Sequence, residues 1–195
     1  LGLSACAAGE ELVAAEDISA TDKTLNWSNW PFYIDEDDDG NYPTLDRFQE
    51  QTGIAVNYMV DYDDNNTYYA KVRDQLQLGQ DIGADIVVPT EWMASRWGQM
   101  GFVQELNEAN VPNKVNVVDS LANPDWDPGR KKSLPWQGGF AGLAYNVDKV
   151  GEIRTVEDLW APELKGRVVV LSEMRDTVGI LMMANGVDIS SDWGA

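Results

Sequence analysis

From Leu25 onward the sequence predicts an α/β domain with a mainly parallel sheet, and two observations carry that reading. Short apolar runs alternate with stretches whose apolar residues recur at helical spacing, and the helical stretches stop at Gly53, Gly79 and Gly101, where a left-handed backbone costs little. A chain of 195 residues holds one complete domain, or one domain and the opening of a second.

The first strand is expected over residues 25–30. An acidic loop follows, then a helix over 44–51 ending at Gly53 and a second strand over 54–60. Residues 65–78 carry Tyr68, Tyr69, Val72, Leu76 and Leu78 at roughly helical spacing, and Ile86-Val87-Val88 reads as a buried strand. A helix over 91–100 stops at Gly101, residues 102–106 read as a short strand, and 123–132, with Pro124, Pro128 and Gly129, as loop. The character changes at Pro135-Trp136-Gln137-Gly138-Gly139. Beyond it a strand is expected over 140–146, a short helix over 156–160, a buried strand over 167–171 and a helix over 176–184. Two strands and two helices cannot close a core alone, so the expectation is a first lobe over 24–136 and the incomplete start of a second over 137–195.

Composition excludes much chemistry. Lys+Arg 14 against Asp+Glu 33 gives a net charge of -19, which repels phosphate backbones and anionic membrane surfaces, so nucleic acid is not an expected partner and cationic ligands are attracted. The chain has no histidine, which removes Ser-His-Asp centres, imidazole bases and His-ligated zinc, and its single cysteine removes disulfides and CxxC sites. No window is long and apolar enough to span a bilayer. Residues 1–23 read as the tail of an export signal and a tether: Leu3-Ser4-Ala5-Cys6 resembles the bacterial lipobox, in which Cys6 would be acylated, and the Ala/Glu/Asp-rich stretch after it is a solvated spacer.

Three groups of residues could bind. Asp35, Asp37, Asp39 and Gly40 match the start of a calcium loop with Asp46 at its twelfth position, but Pro43 at the ninth and the lack of a preceding helix favour a solvated acidic loop. Aromatic residues crowd the predicted strand ends: Trp27, Trp30, Phe32 and Tyr33 after the first, Trp92 after the third and Trp136 at the lobe crossing. In open α/β sheets ligands sit outside those ends. Finally, Glu173 and Asp176 stand three positions apart at the start of a helix and hence on one face; capping accounts for them equally well. Two carboxylates facing an aromatic rim would suit an elongated organic cation, the acids taking ammonium groups and the rings the methylenes.

In these residues the chain resembles the spermidine/putrescine-binding lipoproteins that feed ABC importers, members of the type II periplasmic-binding-protein superfamily. The resemblance runs from Leu25 to the end through Asn29-Trp30 with Tyr33, Thr52-Gly53-Ile54, Tyr69-Ala70-Lys71, Asp85-Ile86-Val87-Val88-Pro89-Thr90, Leu134-Pro135, Tyr145-Asn146, Asp158-Leu159-Trp160 and Glu173 with Arg175-Asp176. It implies a two-lobed fold with the first lobe complete and the second truncated. It also implies an aromatic wall of Trp30, Tyr33 and Trp92, a hydroxyl at Thr90 and an acidic pair at Glu173 and Asp176, with further ligand residues beyond Ala195. Two departures stand out: Pro31-Phe32 replaces a Thr-Glu pair, removing one carboxylate, and the acids of the insertion 35–40 offer partial compensation.

The expected function is therefore capture of a polyamine, spermidine or putrescine, between two lobes and delivery to an ABC permease, by hinge closure about a crossing near residues 135–139. The protein would be an exported monomer, periplasmic or on the outer face of the bacterial membrane through a lipid on Cys6, without cofactor or catalysis. Rival readings are another solute on the same fold, such as a sugar or other organic cation, and a glycosidase using Glu91, Glu173 or Asp176. A calcium-dependent scaffold resting on the acidic loop is a third.

Overall fold

The computed structural model describes residues 12–189. Cys6 and its lipobox lie outside the described residues. The chain divides into two compact units, Leu1–Trp136 and Gln137–Ala195.

The first unit is built on three parallel strands in the order β2-β1-β3: β1 Thr24–Asn29, β2 Ala55–Val60 and β3 Ile86–Val87. Helix α1 (Pro43–Thr52) joins β1 to β2, α2 (Asn65–Gln77) carries the chain back past β1 to β3, and α3 (Glu91–Gln99) follows. Parallel strands with right-handed crossovers that reverse direction place α1 and α2 on opposite faces, and the switch falls between β1 and β3. Ser28, fully buried, accepts from the Tyr68 hydroxyl of α2 at 3.0 Å on one face. Its neighbour Trp27 projects to the other face, where it meets its register partner Tyr58 edge-on at 5.3 Å, and Tyr58 meets Tyr42, the residue before α1, at 4.9 Å.

Local chemistry sets the helix limits. Pro43 opens α1, where its missing N–H costs nothing, and Asp35 from the preceding loop accepts from the Thr44 N–H at 3.0 Å; Gly53 closes the helix at φ 71°. Asp64 caps α2 by accepting from the Thr67 N–H at 2.8 Å. The core lies between α2 and α3, where Tyr62, Tyr68, Val72, Met93 and Trp97 are almost completely buried. Two 3-10 turns (Glu108–Asn110 and Pro112–Asn116), short α4 (Asp119–Ala122) and irregular chain through Trp136 complete the unit.

Strands 25–30 and 54–60 and the helices after them form within a residue or so of their expected limits. The apolar run 86–88 pairs over only two residues, and Ile86 is exposed rather than buried, because β3 is a sheet edge. Residues 102–106 form no strand; the Leu106 N–H instead donates to Lys131 in the loop.

The second unit contains α5 (Val147–Val150), short 3-10 turns at Glu157–Trp160 and Pro162–Leu164, and α6 (Met174–Ala184). The expected strands 140–146 and 167–171 are not formed, and Phe140, Val169 and Val170 are exposed, because among the described residues neither segment has a strand to pair with.

Candidate functional site

In the first unit the rim forms where β1 and β3 end. Trp30 follows β1 directly, and its indole N–H donates to the Val88 carbonyl just past β3 at 2.7 Å, tying the two strand ends together. Its ring lies 5.2 Å from Tyr62, which is itself stacked on Tyr68 at 3.8 Å, so core rings fix Trp30 from behind. Burial, reinforced by Tyr68 and the Asp61 charge, pushes the Tyr62 phenol far above its ordinary value and keeps it neutral. Tyr33 stands 6.1 Å from Trp30, and its carbonyl accepts from the Trp136 indole at 3.0 Å.

The other side of the rim is the start of α3. Thr90 precedes the helix but its hydroxyl does not cap it; Thr90 exchanges two hydrogen bonds with Asn65, accepting at Oγ1 at 2.8 Å and donating from its N–H at 2.9 Å. Trp92, partly buried, packs on the core. Glu91 between them accepts at Oε1 from the Trp126 indole at 2.8 Å and at Oε2 from Nη2 of buried Arg130 at 3.3 Å, and its Oε1 is ion-paired with Arg130 Nη1 at 3.2 Å. Arg130 also donates to the Leu121 carbonyl and Ser133, while buried Asp127 accepts from the backbone N–H groups of Lys131, Lys132 and Ser133. Glu91 is thus a structural tie holding the α3 N-terminus, and an acid whose two oxygens are occupied in this way is poorly placed as the proton donor of a glycosidase.

The structure therefore brings Trp30, Tyr33, Thr90 and Trp92 to the ends of the first unit's strands. Asn65, Trp126, Asp127 and Arg130, which hold that rim, carry no motif and were not singled out from the sequence.

In the second unit Glu173 and Asp176 flank the N-terminus of α6. Glu173 is buried and accepts from the Arg175 N–H at 3.4 Å, so it is the cap; Asp176, in the first turn, is exposed. Partial desolvation, and then the neighbouring Glu173 charge, raise the Asp176 carboxyl above its ordinary value. One carboxylate thus caps the helix while its charge still acts on the other.

The acidic loop is organised differently from a calcium loop. Asp35 is engaged with Thr44, Asp37 accepts from the N–H groups of Asp39 and Asn41 and from the Asn41 amide, and Asp46 accepts from Gln49. These bonds hold the Asp37 carboxyl below its ordinary value. Among the described residues no group of three or more acidic, cysteine or histidine side chains is arranged to hold a metal ion.

The chain is 30% identical over 176 residues to a spermidine/putrescine-binding periplasmic protein of Haemophilus influenzae, covering 89% of this chain and 46% of that one. It is 34% identical over 140 residues to a putrescine-binding periplasmic protein of Pseudomonas aeruginosa, covering 71% of this chain and 35% of that one. The chain spans about half the length of the curated relatives that match most of it. A solved structure from Listeria monocytogenes, assigned to spermidine/putrescine ABC transport, superposes with a TM-score of 0.74 at 24% identity, covering 87% of this chain and 49% of that chain, which establishes the periplasmic-binding-protein fold. Residues 44–195 match the model of the bacterial extracellular solute-binding proteins, a family of binding proteins rather than enzymes, and the chain belongs to that family.

Proposed function

We propose that this chain is part of the solute-binding component of an ABC importer, and that its solute is a polyamine, putrescine or spermidine. The observation that carries the reading is the match over 89% of the chain to a spermidine/putrescine-binding protein. The acidic pair on α6 and the ring-lined rim at the strand ends support it, because they supply the two surfaces that an elongated dication needs. In this reading Trp30, Tyr33, Thr90, Trp92, Glu173 and Asp176 contact the solute, and lobes 24–136 and 137–195 close about the crossing near residues 135–139. Ligand favours the closed state only through its higher affinity for it. The protein acts as an exported monomer held to the outer face of the membrane by a lipid on Cys6, delivers its cargo to a permease and catalyses no reaction.

Thermal unfolding of the full-length protein without its lipid tests this directly. A solute at about a hundred times its Kd adds about 2.7 kcal/mol. Putrescine or spermidine should shift the midpoint, a panel of neutral sugars and calcium should not, and Glu173→Gln with Asp176→Asn should remove the shift. A shift with a sugar alone would keep the fold and replace the cargo; the exposed Phe32, standing where the resemblance places a carboxylate, is the feature that favours this second reading.

A further inference from the structure

Beside the rim, the first unit carries an open groove of about 310 Å³ that none of the six residues proposed above to contact the solute lines. Tyr58 and Val60 of β2 line it together with Phe32, Ile34, Glu36 and Tyr42. The rings of Tyr42 and Tyr58 meet at 64°, presenting a face and an edge. Glu36 makes no hydrogen bond or ion pair among the described residues, in contrast to Asp35, which caps α1, and Asp37, which closes its own loop. Its charge reaches Tyr58: the phenol is raised by burial, a rise that the Asn29 amide opposes and that Tyr42 and Glu36 reinforce.

Phe32, one of the lining residues, follows Pro31 in a turn and sits at φ 63°, a left-handed backbone that a bulky residue rarely adopts, and is 89% exposed. A strained backbone that holds an apolar ring in water is an arrangement expected where something else will cover the ring.

The geometry points to this groove as a binding site for the ammonium end of an organic cation, with Glu36 supplying the charge and Phe32, Tyr42 and Tyr58 the ring faces. Glu36 decides the class. An apolar occupant would strip water from an unpaired carboxylate and an anion would be repelled by it, whereas an ammonium gains both the carboxylate and the rings. The inference rests on the proposal that the solute is cationic, and it names Glu36 as a residue that determines which cation is held.

Calorimetric titration of the full-length protein with putrescine and with spermidine tests it, using E36Q beside D38N, which removes the same charge from the same loop outside the groove. Expected is a loss of about tenfold or more in affinity for at least one of the two polyamines in E36Q, an unchanged unfolding midpoint of the ligand-free protein, and a change of less than about threefold in D38N. Equal losses in both variants would reduce Glu36 to a contributor to the general field and overturn the site. Unchanged affinity in E36Q, while Glu173→Gln abolishes binding, would also overturn it and leave the proposed function standing. If the unaltered protein bound neither polyamine, the proposed function and this site would fall together.

Discussion

Asp176 is a carboxylate that its surroundings disfavour as an anion, through partial desolvation first and the nearby Glu173 charge second. A group with a raised pKa binds its proton more tightly in the folded state. Its contribution to stability is therefore present at low pH and is lost as the pH rises from the ordinary value of 3.8 through the raised one. In the proposed site cation binding would have the opposite dependence, because an ammonium requires the ionised pair: affinity should fall on acidification, beginning at a higher pH than an unperturbed aspartate would give. Asp176→Asn separates the two effects. At neutral pH it should raise the unfolding midpoint of the ligand-free protein and weaken polyamine binding by about tenfold or more, since a charge-assisted contact contributes about 1.5–3 kcal/mol. Calorimetric titration across pH 4 to 8 and thermal unfolding of the same variant check both signs. A midpoint that fell together with affinity would mean that the carboxylate is structural.

At the scale of elements, α3 depends on a close approach at Gly98, where a Cβ would lie 2.8 Å from the Trp126 ring. Trp126 cannot retreat freely, because its indole donates to Glu91 at the head of the same helix. Gly98→Ala should therefore destabilise the protein by about 1 kcal/mol, although alanine is the better helix former by about that amount, since displacing Trp126 forfeits a hydrogen bond to a charged group. Chemical denaturation measures the loss; a gain in stability would show that Trp126 moves without cost.

The same helix shows what could be read from sequence. Its start after a strand, its stop at Gly101 and its rim residues Thr90 and Trp92 follow from local pattern. Asn65 and Arg130 do not, because their partners lie 25 and 39 positions away and only the folded chain brings them to Thr90 and Glu91. Strands divide in the same way. Residues 25–30 and 54–60 could be read because they pair with each other, whereas 102–106, 140–146 and 167–171 have apolar character but no partner strand among the described residues, and apolar character alone does not make a ladder.

For the whole molecule the dominant quantity is the net charge of -19. A field of this size attracts a dication before any contact forms, and salt attenuates it: going from about 20 mM to about 500 mM sodium chloride shortens the screening length from about 20 Å to about 4 Å. Most of that field comes from acids remote from the solute, so it should act on the encounter rather than on the bound complex. Stopped-flow binding of putrescine to the full-length protein, followed by tryptophan fluorescence, should accordingly show an association rate that falls about tenfold or more over this range while the dissociation rate changes by less than about threefold. E36Q should reverse this pattern, with faster dissociation at both salt concentrations and a salt dependence of association close to that of the unaltered protein, because it removes one charge of 33 acids but a direct contact to the ammonium. If the association rate did not respond to salt, the acidic composition would serve solubility rather than capture, and polyamine recognition would rest on the carboxylates at the site alone.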